Sequence, residues 1–148
     1  MSDTLFGAMN ISAAGMSAQR SRMDIVAENI ANANSTRTEK GGPYRRRQVV
    51  FQARQEKAGF DHVFQSSFQK GGPSSVKVSS IIEDKRPFRE IYDPGHPDAD
   101  TRGMVKLPNV NAVEEMVDMQ SASRSFEANV TTMEAAKRMF QKSLELLR

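Results

Sequence analysis

The 148-residue sequence has no cysteine. That excludes disulfides, thiolate zinc sites and cysteine nucleophiles together. Its two histidines, His62 and His96, leave little for metal binding or a Ser-His triad. No apolar run approaches the roughly 18 residues of a membrane span. The N-terminus lacks a basic region and an A-x-A site, so no cleavable signal peptide is expected. Cytosolic residence is the plain reading, and export without cleavage stays open. Large aliphatics are scarce as well. Leu, Ile, Val and Phe make up 30 of the 148 residues, near the level at which packing becomes marginal. The net charge is only +3, so charge repulsion does not expand the chain. A thin core implies that burial is completed by a partner or by copies of the chain.

Proline is absent from the two ends, and glycine is sparse there. All six prolines fall between Pro43 and Pro108, only Gly7 and Gly15 precede Gly41, and no glycine follows Gly103. Both residue types break helices, so the ends can be long helices and the middle cannot. Residues 4–33 read as one helix, with Asp3 as a candidate cap. Met9, Met16, Met23 and Ile30 recur every seven residues, beside a stripe of Leu5, Ser12, Gln19, Val26 and Ala33. A small residue at Gly15 would let another helix approach closely.

Residues 112–147 repeat the pattern. Asn111 and Glu114 form an N-cap and N3 pair, with acids early and bases late along the helix. Ala112, Met119, Phe126, Met133, Phe140 and Leu147 recur every seven residues, beside Met116, Ser123, Val130, Lys137 and Leu144. Such a repeat in long helices points to coiled-coil packing. An ordinary amphipathic helix on a local core is the competing reading. The middle is too small to cover two such helices. Ser12, Gln19, Ser123 and Lys137 stand where a strong seam would carry Leu.

The middle reads as strands at 48–52, 75–82, 89–92 and 104–107, separated by turn signals at Gly41-Gly-Pro43, Gly71-Gly-Pro73 and Asp93-Pro-Gly95. Little there suggests chemistry. Asp98–Gly103 begins like a calcium loop, but Arg102 sits at the fifth position and Asn109 at the twelfth. An Asp-rich turn is the better account. The glycine pairs lack the spacing of a phosphate-binding loop. Nothing sets the carboxyls of Asp93, Asp98 and Asp100 apart for acid–base work. Arg45, Arg46 and Arg47 lead a basic stretch over residues 37–57. It reads as a solvated face or docking surface, with nucleic-acid binding as the sharper alternative. Asn29, Asn32 and Asn34 cluster at the end of the first helix. They suit either a frayed end or amide bonds to the backbones of neighbouring chains.

Several segments carry a resemblance. Asn29–Thr36, Gly41–Arg46, Gln48–Gln52, Tyr92–Asp98 with Gly103 and Val105, Pro108–Asn111 and Met116–Asn129 together resemble the bacterial flagellar basal-body rod proteins of the FlgC, proximal-rod type. The Asn-rich segment alone marks the wider group of flagellar axial proteins. Met104 and Phe126 depart from commoner aromatic choices but stay apolar, and residues 54–74 match nothing in the family's pattern.

The resemblance implies a structural subunit, not an enzyme, without metal or cofactor. Such subunits pass unfolded through the flagellar export apparatus without a cleaved signal. They assemble into a helical tube that crosses the periplasm and transmits motor torque. Its partners would be copies of itself, proximal and distal rod proteins and the adaptor joining rod base to MS ring, with no nucleic acid and no membrane span. The expected fold is α+β, with the terminal helices packed as an antiparallel coiled-coil pair around a small β-rich centre. Residues 1–35 and 107–148 would form the rod-core domain, and 36–106 a central domain with a variable loop near 54–74. Subunit packing is expected at Met9, Met16, Met23, Ile30, Met119, Phe126, Met133, Phe140 and Leu147. Polar contacts between subunits are expected at Asn29, Asn32 and Asn34, and an outer docking surface at Arg45, Arg46 and Arg47. A basic coiled-coil nucleic-acid-binding protein is the alternative. A rod-associated peptidoglycan hydrolase is disfavoured for want of an acid–base pair.

Overall fold

The computed structural model describes residues 2–39, 41–54 and 75–146. The segment expected to be a variable loop, apart from Arg54, and Leu147 lie outside the described residues. The described chain is α+β. Helix α1 spans Ser2–Ala31, strands β1 (Arg47–Arg54), β2 (Ser75–Glu83), β3 (Arg89–Tyr92) and β4 (Met104–Leu107) follow, and α2 spans Ala112–Leu146. β1 pairs with β2, and β3 with β4. Helix α1 begins at Ser2, which places Asp3 within its first turn. The end of α1 involves no left-handed asparagine, because among the described residues positive φ occurs only at Gly41, Gly42 and Gly103. Instead the Asn32 side chain donates to the Glu28 carbonyl at 2.9 Å, and its Oδ1 accepts from the Ser35 hydroxyl. Asn111 caps α2, its Oδ1 accepting from the Val113 N–H at 3.1 Å. That meets one of the N-terminal amide donors that no helix can satisfy internally.

Contacts divide the chain into two units: residues 1–20, 51–79 and 123–148, and residues 21–50 and 80–122. In the second unit, β3 and β4 run antiparallel, Arg89 opposite Leu107 and Tyr92 opposite Met104. Alternation buries Val105 and Leu107 and leaves Lys106 outside. The turn between the strands closes with Gly103 donating to the Asp100 carbonyl and accepting from the Asp93 N–H. Gly103 has φ +74°, and a Cβ there would lie 2.9 Å from the Tyr92 ring. Only glycine fits both demands. Val26, Tyr44, Val105, Leu107, Val110 and Ala122 make the apolar core of this unit.

Among the described residues of the first unit the buried side chains are small: Ser12, Ala18 and Ala136. A Cβ on Gly15 would lie 3.0–3.1 Å from the Asn129 amide group, so the absent side chain is what lets that neighbour in. Phe6 meets Phe140 edge to face, ring centroids 5.6 Å apart.

Candidate functional site: helix seam and polar joint

Both helices carry a seven-residue stripe, but its buried centre differs from the expected one. On α2 the deepest positions are Glu115, Ala122 and Ala136, with half-buried Asn129 in the same register. On α1 they are Ser12, Ala18, Val26 and Asn29. Met9, Met16, Met23, Ile30, Met119, Phe126, Met133 and Phe140 are all half-buried. Small residues therefore take the closest contacts, and the large apolar side chains retain exposed surface. The residues expected to weaken the seam divide: Ser12 is buried, Gln19 and Ser123 are half-buried, and Lys137 is exposed.

The second unit contains a joint built from Asn29 outward. Asn29 is 1% exposed. Its Nδ2 donates to the Arg47 carbonyl at 2.8 Å and to Glu115 Oε2 at 2.9 Å. Its Oδ1 accepts from the Tyr44 hydroxyl at 3.0 Å and from the Arg47 N–H at 2.9 Å. That fills the amide's two donor and two acceptor positions. Asn29 thus departs from the expected role between subunits, since nothing remains for a neighbour's backbone. Asn32 is half-buried and Asn34 exposed.

Arg46 is the second hub and departs from the outward triad. It is 8% exposed, and Glu115 is 0% exposed. Its Nε donates to Glu115 Oε1, with Nη2 at 3.4 Å from Asp118 and Nη1 at 3.7 Å from Asp84. Asp118 also pairs with Arg22 at 3.1 Å. The Arg46 N–H donates to Asn109 Oδ1 at 2.9 Å, and Asn109 donates to the carbonyls of Asp84 and Arg86. The arginines on either side are engaged differently. Arg45 stacks on Phe88, 4.3 Å from the ring centroid, and Arg47 pairs with Glu28 at 2.7 Å. The segment is extended, so alternate residues Tyr44 and Arg46 turn inward. That period-two alternation is the signal that separates Arg46 from its neighbours.

Charge in the joint is tightly matched. Burial pushes the Tyr44 hydroxyl up to about 12, and the Glu28 carboxylate adds to the shift. Asp84 is held below its ordinary value, first by the Arg86 backbone N–H and then by its side chain, while burial opposes both. These are interactions that fix a structure. Among the described residues no three His, Asp or Glu side chains come together to hold a metal, and no described helix is long and apolar enough to cross a membrane. Arg37, Glu90, Asp98, Asp100, Arg102 and Lys106 line an open, charged hollow of about 760 Å³.

Two family models match this chain, one for the flagella basal body rod protein over residues 9–37 and one for the C-terminal part of flagellar basal body rod FlgEFG proteins over residues 101–146. They cover much of the helices that carry the seam and the joint. Among curated relatives, the flagellar basal-body rod protein FlgC of Borreliella burgdorferi is 45% identical, covering 97% of each chain. Its Bacillus subtilis counterpart is 44% identical over 97% of this chain and 98% of its own. That of Escherichia coli O157:H7 is 40% identical over 96% and 97%. A likeness of this strength along almost the whole chain, in both helices and the strands between them, places the protein in the FlgC family of flagellar basal-body rod proteins, as a structural component of the rod.

Proposed function

We propose that the chain builds the proximal rod by self-assembly of its terminal helices into a helical tube that carries motor torque across the periplasm. Within each subunit, α1 and α2 pair as an antiparallel coiled coil. The rod core is formed by residues 1–35 and 107–148, and 36–106 lie outside it. The observation that carries this reading is the order of partners along the helices. In the first unit Phe6 meets Phe140 and Gly15 meets Asn129. In the second, Arg22 meets Asp118 and Asn29 meets Glu115. Partner numbers fall as α1 numbers rise, as antiparallel helices require.

The half-exposed stripes from Met9 to Ile30 and Met119 to Phe140 supply apolar surface for neighbouring subunits, and the seven-residue spacing of the sequence continues to Leu147. Exposed Asn34 contacts neighbouring chains, and half-buried Asn32 does so with whatever capacity its bonds to Glu28 and Ser35 leave, while Arg45 and Arg47 contribute to outer docking. Partners are copies of the chain, other rod proteins, and the adaptor at the rod base, reached through the flagellar export apparatus. Stiffness comes from many helix contacts and needs no covalent chemistry. Nucleic-acid binding is the weaker reading, because Arg46 is buried in ion pairs and Arg47 is neutralised by Glu28.

The test is complementation. Cells lacking the chain should be non-motile and without rods, and re-expression should restore both. A deletion strain that swims normally would refute the proposal.

A further inference from the structure

The outer face of α2 is polar along most of its length, with Gln120, Arg124, Glu127, Thr131, Glu134 and Arg138 all exposed. Its first two turns are different. Val113, Met116 and Val117 are 69%, 58% and 63% exposed. Their i, i+3, i+4 spacing puts them on one face, away from Glu115 and Ala122, which are fully buried. Of the acids in these turns, Glu115 and Asp118 are engaged by Arg46 and Arg22, which leaves Glu114 to give the exposed surface its negative charge. Glu114 is exposed and has no cation within 4 Å among the described residues, although the more distant Arg86 guanidinium feels its charge.

A complementary surface exists on α1 within the other unit. Met9, Ala13 and Met16 lie on one flank of the helix at i, i+4, i+7 spacing, and all are half-buried. Exposed Arg20 continues that flank and also lacks an ion pair among the described residues. From Thr4 to Met23 α1 carries Arg20 and Arg22 and no acid. One surface is apolar with an unpaired carboxylate. The other is apolar with an unpaired guanidinium.

We propose that Val113, Met116 and Val117 of one subunit dock on the Met9–Ala13–Met16 flank of a second copy, with Glu114 beside the second copy's Arg20. The two surfaces differ, so the contact is head-to-tail and propagates as an open series instead of closing into a dimer. Three side chains are far short of the roughly 800 Å² per partner of a stable pair. The contact therefore acts as one of several repeated along an assembly. This inference rests on the self-assembly proposed above, and names the surfaces that meet.

The chain's lack of cysteine permits a direct test. Full-length Val117→Cys combined with Met16→Cys is expressed as the sole copy, basal bodies are purified, and mild oxidation is applied. The expected result is a ladder of dimers and higher multiples from the double variant and none from either single variant. Dimers from Val117→Cys alone would mean that the patch faces itself, and would overturn the proposal. So would the absence of cross-links in basal bodies that contain the double variant, with the rod role left standing. Absence of the unsubstituted chain from basal bodies would overturn both. If the cysteine pair blocks assembly, a charge swap decides. Glu114→Arg should cut swimming severalfold, and adding Arg20→Glu should restore it. Failure of the second change to restore swimming would overturn the proposal.

Discussion

Replacing Arg46 by Met should remove about 3–5 kcal/mol of folding stability. Arg46 Nε is bonded to Glu115, whose side chain is 0% exposed. Met fills similar space along the arginine stem but brings no charge. Glu115 would then keep a bond from the Asn29 amide, in a place that water does not reach. Breaking a buried pair costs far more than the pair contributes, because the surviving charge stays desolvated. Removing both charges should therefore cost much less. The assay is urea unfolding of the purified subunit followed by circular dichroism, on Arg46→Met, Glu115→Leu and the double variant. The cycle should show the double variant more stable than Arg46→Met by at least about 1.5 kcal/mol. A loss below about 1 kcal/mol, or additive single effects, would refute the reasoning that this buried pair holds the joint together.

Three further outcomes are expected. Tyr44 is pushed up to about 12, so folding stability should fall as pH rises from about 10 towards that value, where the unfolded chain ionises first. Tyr44→Phe should remove that fall, read from urea midpoints. Gly103→Ala should cost about 1–2 kcal/mol from the left-handed backbone alone, and more because its Cβ would meet the Tyr92 ring; an unchanged midpoint would contradict the turn geometry. Phe126→Asp should block rod assembly while export continues, since the unfolded chain in transit has no seam to disturb. Truncating a buried aromatic costs about 3–5 kcal/mol, and Phe126 is half-buried, so Glu127→Lys at the exposed neighbouring position should leave cells motile by comparison.

The elements were legible because their signals are local. The Pro-free, Gly-poor ends and the seven-residue repeat mark α1 and α2 to within two residues, and the turn signals bound β3 and β4 to the residue. The centre of the seam was harder to see. A search for large apolar side chains finds Met9, Met16 and Met23, whereas the closest contacts fall to Ser12, Gly15, Ala18, Ala122 and Ala136. Small residues contribute little hydropathy, and their value lies in how near they let a second element come. Asn29 and Arg46 were hidden for a different reason. A polar residue is read as solvated until its partners are known, and theirs lie 86 and 69 residues away at Glu115. The inward alternation of Tyr44 and Arg46 emerges only from their burial in the fold.

The most direct test of the rod assignment is quantitative recovery of the chain in basal bodies purified from motile cells and stripped with salt. The account predicts that it remains with the rod fraction and is lost, along with motility, when Phe126 is replaced by Asp. Its absence from basal bodies of swimming cells would contradict the account.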